Sequence, residues 1–324
     1  MTRIYITIDT EYSSGLVSDL SKADRIENYA RSIGCITPDG PAGITLQLDL
    51  FKRHGIKAVF FVDPMPALIW GVAAIEDIVG PIIEAGQDVQ LHCHSEWLGL
   101  AGDKSFLASK ATGQNLFDFT FEDQHQILEY ARDTLIAAGA PMPVAFRAGN
   151  YGADDNTLRA LAQIGLRYDT SHCPALPDAS RLSLSSLMRD PLLFEGMIEV
   201  PVGSIGTLGG GLRHAQITAL SLAELRAAIG HARDNAYSSF TLVTHSFELI
   251  NRRKLAVNKI VKQRFEGLCR TLADMDGVTT GNYRDTPPLF GGSFQSSRPM
   301  PANALRTGYR YAEQLVSNVL YGAL

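Results

Sequence analysis

Residues 51–62 read Phe-Lys-Arg-His-Gly-Ile-Lys-Ala-Val-Phe-Phe-Val, and they join the end of a helix to a buried strand. Apolar residues recur at helical spacing over Gly43–His54, and Gly55 follows as a helix-ending residue. Lys57–Val62 is then a short run rich in valine and phenylalanine, typical of a buried strand. A helix that leads directly into such a strand is part of a βαβ unit, so this stretch predicts a parallel sheet.

The same alternation of strands and helices continues along the rest of the chain. The predicted strands cover residues 4–8, 57–62, 88–91, 144–147, 166–170, 198–202 and 240–244. The predicted helices cover residues 43–54, 75–85, 121–138, 154–164, 222–235 and 262–275, with a short helix near 21–32. We therefore expect an α/β fold in which strands are joined by helices.

Roughly seven strands come close to the eight strands of an α/β barrel. An open doubly wound sheet is the alternative fold. That fold normally carries a glycine-rich turn after its first strand, whereas this chain has Asp9-Thr10-Glu11-Tyr12 there. The sequence therefore favours a barrel.

Composition excludes several classes of function. The chain has 324 residues, with 29 Lys and Arg against 34 Asp and Glu and no basic stripe, so we expect no nucleic-acid partner. No apolar run is long enough to cross a bilayer. The N-terminus has a strand pattern rather than a signal peptide, and the four cysteines lack disulfide or zinc-site spacing. These features predict a cytoplasmic protein with free thiols.

The C-terminal part differs from the rest of the chain. Residues 286–304 are rich in Pro, Gly and Ser and predict a linker, and Ala304–Leu324 predicts a helix. We therefore expect a barrel domain over residues 1–285, followed by a linker and C-terminal helix over residues 286–324. The helix is expected to pack on the barrel or on a second subunit in a homo-oligomer. Its low basic content argues against a place on a membrane surface.

Two histidines follow a predicted strand in residues 89–97, Val-Gln-Leu-His-Cys-His-Ser-Glu-Trp. Residues two apart on a strand point to the same face, so His92 and His94 would lie side by side, as metal ligands do. The spacing alone also allows a chance pair, with one histidine packed and the other solvated.

Further polar residues occur at the same kind of place, the carboxyl ends of predicted strands, where α/β barrels have their active sites. Asp9 and Glu11 project from the same side of an extended segment, so one can bind a cation while the other serves as a base. A cap or turn is the alternative. The whole set at strand ends comprises Asp9, Glu11, His92, His94, Arg147, Asp169 and His245. Histidines with carboxylates suit Zn²⁺, Fe²⁺, Co²⁺ or Mn²⁺, and three protein ligands leave a position for water.

Five segments occur in an order that resembles the polysaccharide deacetylase (NodB-homology, carbohydrate esterase family four-like) superfamily. They are Asp9-Thr10-Glu11, residues 51–62, the His92/His94 pair, residues 146–152 (Phe-Arg-Ala-Gly-Asn-Tyr-Gly) and residues 242–245 (Leu-Val-Thr-His). The resemblance covers roughly residues 4–275. It implies a distorted (β/α)7 barrel with parallel strands and the metal-dependent removal of an N- or O-acyl group from a sugar.

The resemblance also implies the metal site. Asp9 corresponds to the family's catalytic base and Glu11 to its metal carboxylate, but the Asp-x-Glu spacing replaces an adjacent acidic pair, so the two roles are exchangeable. His92 corresponds to the first ligand histidine. The family's second histidine lies four residues later, where this chain has Glu96, so either His94 or Glu96 completes the site. The implied cofactor is a divalent metal, with zinc first and Co, Fe, Mn or Ni as alternatives.

For the reaction, the resemblance implies that Arg147 holds the base and that His245 is the general acid for the leaving amine. A backbone N–H at Asn150 or Tyr151 would stabilise the oxyanion. The family's Arg-x-Pro-Tyr segment is one residue longer here, which leaves that donor open. Asp169 is expected to orient His245 and raise its pKa, with a strand-end cap as the alternative.

The expected activity is therefore a deacetylase that hydrolyses an N-acetyl or other acyl group on a sugar. A lipid-linked or nucleotide-linked sugar for a surface polysaccharide is the expected kind of substrate. An amidohydrolase acting on a non-sugar C–N bond is one alternative. An inactive barrel that only binds saccharide is another, but the presence of base, ligand, arginine and acid candidates argues against it.

Overall fold

The structure is a computed structural model that describes residues 1–185, 188–290 and 297–322. The strands are β1 Thr2–Thr10, β2 Ile36–Thr37, β3 Gly40–Pro41, β4 Ala58–Val62, β5 Asp88–Cys93, β6 Ala145–Ala148, β7 Tyr168–Asp169, β8 Leu192–Phe194, β9 Met197–Glu199, β10 Ser204–Gly206, β11 Leu212–His214, β12 Ser239–His245, β13 Ile250–Asn251, β14 Ala256–Val257 and β15 Val278–Thr280. The helices are α1 Lys22–Ser32, α2 Ile44–His54, α3 Ala67–Trp70, α4 Ala73–Glu84, α5 Glu96–Ala101, α6 Phe121–Ala137, α7 Asp155–Gln163, α8 Leu222–Asp234, α9 Lys259–Asp274 and α10 Ala304–Tyr321.

The main sheet is a curled array of parallel strands in the order β12-β1-β4-β5-β6-β7-β9. Strand β8 adds an antiparallel edge to β9, and β15 pairs in parallel with the start of β1. The chain just after β9 reaches the other end of the array, where Val202 forms a parallel bridge with Thr241 of β12. This arrangement is the predicted distorted barrel, and the open doubly wound sheet is excluded.

Strand β4 shows why the chain forms this barrel. Its side chains alternate between the two faces of the sheet and all five residues are buried. Phe60 packs outward on Phe51 of α2, whereas Phe61 packs inward on Tyr283 in the barrel interior. Helix α2 ends where Gly55 adopts a φ of 62°, a left-handed conformation that glycine tolerates without strain.

The sequence predicted the long helices and most barrel strands to within a few residues, but it missed the short hairpins. Strands β2/β3, β10/β11 and β13/β14 each pair over two or three residues, too few for a periodic pattern. Two of these hairpins, β10/β11 and β13/β14, flank strand β12 in the chain. His214 of β11 and Ile250 of β13 each line a cleft that also contains His245 of β12, so both hairpins lie at the barrel rim near the end of that strand.

Helix α10 is attached to the barrel by its polar side. Arg310 forms an ion pair with Glu224 of α8 at 3.2 Å, and Ser317 accepts a hydrogen bond from Asn258 at 2.8 Å. The opposite side of the helix carries apolar residues that are exposed to solvent. The expected linker includes residues 291–296 and the expected helix ends at 324, and residues 291–296 and 323–324 lie outside the described residues. The boundary at 285/286 therefore stays a prediction.

All four cysteines are buried and unpaired, as expected from their spacing. Within the described ranges, 1–185, 188–290 and 297–322, no helix has the length and apolar character required to traverse a bilayer.

Candidate metal and catalytic site

Three of the predicted residues meet just beyond the carboxyl ends of two barrel strands. Glu11 follows β1, whereas His92 lies on β5 and His94 follows it. The Oε2 atom of Glu11 lies 3.0 Å from Nε2 of His92 and 2.7 Å from Nε2 of His94. Their three potential ligand atoms all lie within 4.8 Å of one another. The same-face prediction for the two histidines is therefore met, and a carboxylate faces both imidazoles.

Both imidazoles are oriented by acceptors behind them. Nδ1 of His92 donates to the backbone oxygen of Arg147 at 2.7 Å, and Nδ1 of His94 donates to Oε1 of Glu96 at 3.0 Å. Metal-binding histidines typically have such a partner on the second ring nitrogen, which leaves the first nitrogen for the metal. The residues therefore fit a divalent cation, with His94 in the triad and Glu96 behind it.

Electrostatics within the triad also favour a bound cation. Burial alone would raise the pKa of Glu11, but the charges and hydrogen bonds of His94 and His92 hold it well below its usual value. Burial alone would lower the pKa of His94, but Glu11 and Glu96 raise it well above its usual value. The carboxylates of Glu11 and Glu96 thus favour a positive charge at the His94 imidazole. A metal ion that replaces the proton on His94 would supply that charge.

The residues around His94 leave it little room. A Cβ atom at Gly149 would lie 2.7 Å from Nδ1 of His94, so only glycine fits there without a shift. On the other side, Oδ1 of Asp63 accepts from the backbone N–H of His94 at 3.4 Å. Burial raises the pKa of Asp63 to about 7. The sequence analysis missed Asp63, although a carboxylate directly after the buried strand β4 was a usable signal.

The base candidate lies beside the triad and is held by a buried arginine. Asp9 is 4% exposed, and its Oδ1 atom lies 2.6 Å from a terminal nitrogen of Arg147. The Arg147 guanidinium is fully buried, stacks over Phe61 at 4.6 Å and donates to the backbone oxygen of Thr170. The geometry thus separates the two carboxylates: Glu11 faces the histidines, whereas Asp9 faces the arginine.

The acid candidate His245 is adjacent to Asp9, since the two residues pair across β1 and β12. Its Nε2 atom lies 3.9 Å from Oδ2 of Asp9, and its Nδ1 atom donates to Oε1 of Glu248 at 2.8 Å. Burial would lower the pKa of His245, but Glu248 and the more distant Asp9 and Glu11 raise it to about 9. The carboxylate of Glu248 therefore favours the protonated form of this imidazole.

Asp169 was predicted to orient His245, but it does not contact that residue. Its carboxylate accepts hydrogen bonds from the backbone N–H and hydroxyl of Ser171 at 2.8 and 2.9 Å, and its neighbour across the strands is Glu199. Burial raises the pKa of both Asp169 and Glu199. The partner of His245 is Glu248, which lies three residues further on in the turn after β12. A carboxylate at that spacing was the signal that sequence analysis missed.

The turn after β6 forms the remaining wall of the site. Asn150 and Tyr151 have φ values of 55° and 60°, so two successive non-glycine residues adopt the left-handed conformation. Such strain usually persists where the surrounding structure requires it, often at functional sites. Both residues line a small cleft of about 130 Å³ together with Asp9, Glu11, His92, His94, Ala148, Leu176, His214, Gln216 and His245.

A solved structure of similar fold supports this architecture. A protein from Mycobacterium smegmatis assigned as a polysaccharide deacetylase aligns with a TM-score of 0.53 over 86% of each chain, at 17% identity. The chain shares the polysaccharide deacetylase fold. A family 4 carbohydrate esterase from Streptomyces lividans aligns at 0.45 and 11% identity over 87% of this chain and 92% of its own. A 4-alpha-glucanotransferase from Thermococcus litoralis aligns at 0.48 and 13% identity over 90% of this chain and 41% of its own.

No protein-family model matches the sequence, and no curated protein matches it. At 17% identity, the likeness to the M. smegmatis protein establishes the shared fold and leaves the activity to be argued from the site.

Proposed function

We propose that this protein is a metal-dependent deacylase that hydrolyses an acyl group on a sugar or a sugar-containing intermediate. The observation that carries the proposal is one cleft lined by a Glu/His/His triad, a carboxylate held by an arginine, and a histidine paired with Glu248. These are the groups that hydrolysis of an amide or ester requires. The shared polysaccharide deacetylase fold supports a sugar as the carrier of the acyl group.

Glu11, His92 and His94 would hold the divalent cation. One carboxylate and two imidazoles form a donor set typical of catalytic zinc, so we propose zinc as the native metal. When bound there, such an ion would polarise the acyl carbonyl and lower the pKa of water. The buried partners behind the two imidazoles would keep both Nε2 atoms directed at the cation.

The other polar residues of the cleft would move the protons. Asp9 keeps Oδ2 available because Arg147 takes up Oδ1, and this Oδ2 atom would accept a proton from the attacking water. His245 would then donate its Nε2 proton to the departing nitrogen or oxygen. Backbone N–H groups at Asn150 and Tyr151 would stabilise the negative charge on the carbonyl oxygen.

The activity test is acetate release from N-acetylated and O-acetylated sugars after the protein has been loaded with Zn²⁺ or Co²⁺. We expect release by the parent and by Glu76→Gln, which changes an exposed carboxylate on α4. Asp9→Asn and His245→Ala should lose it. Equal rates for the parent and these two variants would overturn the mechanism, and failure of the parent to bind either metal would overturn the site.

The four buried free thiols suit a reducing compartment, and we propose that the protein acts in the cytoplasm. A cell fractionation that recovers the protein outside the cytoplasm would contradict this placement.

We also propose that the outer side of α10 binds a second copy of the chain. Seven large apolar residues are exposed on this helix: Leu305, Tyr309, Tyr311, Leu315, Val316, Val319 and Leu320. Together they form an exposed apolar face on one side of the helix, and a contiguous apolar patch of this kind typically marks an interaction surface. The charged residues Arg310 and Glu313 lie on the barrel side, which disfavours a membrane surface as the occupant.

Analytical ultracentrifugation tests this interface. We expect a dimer for the parent and for the control Ile136→Glu, which adds a charge at an exposed isoleucine on α6. Leu315→Glu combined with Val319→Glu should give a monomer. A monomeric parent at micromolar concentration, or a parent that binds lipid vesicles instead, would overturn the proposal.

A further inference from the structure

A second, larger cleft lies next to the one over the triad. It has a volume of about 600 Å³ and shares Gln216 and His245 with the smaller cleft. From His245 it extends along the turn after β12, past Phe247 to Arg252 and Arg253. A volume of this size accommodates a small-molecule group beyond the acylated sugar itself. A substrate whose acyl group lies over the triad would therefore place its neighbouring groups here.

The wall of this larger cleft is rich in arginine. Arg31, Arg252 and Arg253 all line it. The lining includes one acidic residue, Glu248, and both of its carboxylate oxygens are already used. Oε1 accepts from His245 and Gln216, and Oε2 accepts from Thr244 at 3.0 Å. Arg31 is paired with Glu27, which does not line the cleft. Arg252 and Arg253 therefore supply the excess of positive charge that the cleft presents to whatever enters it.

Arg252 is the most distinctive of these residues. Its guanidinium lies 4.1 Å above the ring of Phe247, and that ring lies 5.0 Å from the imidazole of His245. Arg252 is half-buried and forms no ion pair with any residue in the described part of the chain. A terminal nitrogen of Arg31 donates to its backbone oxygen at 2.9 Å, which braces the turn. A half-buried cation that has no ion-pair partner is costly, so the site is better suited to a bound anion than to a neutral group.

We propose that the larger cleft binds an oxyanion of the substrate, through Arg252 and Arg253. The acyl group would then belong to a sugar phosphate or an acidic sugar rather than to a neutral saccharide. Guanidinium groups recognise phosphate and carboxylate through paired charge-assisted hydrogen bonds, and stacking on Phe247 holds the Arg252 plane in place for such contacts. The inference rests on the proposed deacylase function, because it assigns the part of the substrate that lies beside the acyl group.

The test compares substrates that differ in charge. N-acetylglucosamine, its 1-phosphate and an N-acetylated uronic acid are given to the zinc-loaded parent, Arg252→Gln and Arg252→Lys. We expect the parent to prefer one of the two anionic substrates over the neutral sugar. Preference for the 1-phosphate identifies the oxyanion as phosphate, and preference for the uronic acid identifies it as carboxylate. Arg252→Gln should reduce the preference for the anionic over the neutral substrate by ~10- to 100-fold, mainly through KM, as the loss of a charge-assisted contact predicts. Arg252→Lys should retain part of it.

Arg53→Gln, which removes an exposed arginine on α2, is the matched control and should keep the full preference. Calorimetric titration of inorganic phosphate into the same zinc-loaded proteins gives a readout that needs no turnover, with Arg253→Gln as a second variant. If the parent deacylates none of the substrates while Arg252→Gln and Arg253→Gln both bind phosphate more weakly than the parent, the deacylase proposal fails and the oxyanion site stands. Equal kcat/KM for neutral and anionic substrates, or unchanged phosphate binding in both variants, would overturn the site.

Discussion

The metal side and the acid side of the cleft are built in different ways. On the metal side, Glu11, His92 and His94 lie at the ends of strands β1 and β5, which are separated in the sheet by β4. A backbone oxygen and a carboxylate fix the two imidazoles. On the acid side, His245 ends β12, but its partner Glu248 belongs to the turn that follows. The barrel itself therefore positions the metal side, whereas a short turn positions the acid side. Substitutions on the metal side should therefore change metal affinity, whereas substitutions on the acid side should change proton transfer.

The largest expected effect separates chemistry from metal binding. His245→Ala should lower kcat/KM by roughly 10²- to 10⁴-fold, because it removes the general acid. Zinc content should stay that of the parent, because His245 lies outside the triad. Steady-state kinetics with metal analysis of the same sample checks both. A His245→Ala protein that had lost its zinc would show that the two sides are not independent.

The next effect concerns Arg147, the buried arginine that holds Asp9 between the metal side and His245. Arg147→Met leaves the carboxylate of Asp9 buried without its partner, and breaking a buried pair in this way costs about 3–5 kcal/mol of unfolding free energy. Urea unfolding measures that change. Arg159→Met is the matched control, since its ion pair with Glu195 is exposed to solvent and should contribute little to the free energy of unfolding. Similar losses for both variants would contradict the structural role given to Arg147.

A smaller effect tests the packing behind the metal side. Gly149→Ala places a methyl group against the His94 ring and should lower zinc affinity by about 10- to 100-fold, as changes behind metal ligands typically do. Competition with a chelator measures the affinity. Gly80→Ala adds a methyl group to α4 where nothing lies within 4 Å, so it should keep the parent affinity. Unchanged affinity in Gly149→Ala would mean that His94 does not bind the metal in this position.

The smallest effect appears in the pH profile. Glu248 raises the pKa of His245 to about 9, so the parent should keep its protonated acid below that pH and lose kcat/KM above it. Glu248→Gln keeps a hydrogen-bond acceptor but removes the negative charge, so the pKa should fall. The descending limb should then move to lower pH by roughly one unit. A descending limb at the same pH in Glu248→Gln as in the parent would show that Glu248 does not set the protonation of His245.

This difference between the two sides also explains what could be predicted from sequence. The barrel and the strand-end residues were predictable because helices and buried strands have periodic patterns, and strand ends in a parallel array converge at one rim. The order of segments then pointed to Asp9, Arg147 and His245, which the structure brings together.

The residues that were missed or misplaced depend on turns. Glu248 and Arg252 belong to a turn and hairpin too short to show a pattern, and their contacts with His245 and Phe247 exist only once that turn has closed. Asp169 was assigned to His245 because both end strands, but strand order separates β7 from β12 in the barrel. The choice between His94 and Glu96 likewise required side-chain directions that spacing alone does not give.

The most direct test of the central claim is the zinc stoichiometry of two carboxylate variants, measured by mass spectrometry under native conditions. Glu11 and Asp9 are two residues apart in the sequence, yet the structure directs one to the histidines and the other to Arg147. We predict about one zinc per chain for the parent and for an inactive Asp9→Asn, and none for Glu11→Gln. Loss of zinc in Asp9→Asn, with zinc retained in Glu11→Gln, would contradict this account.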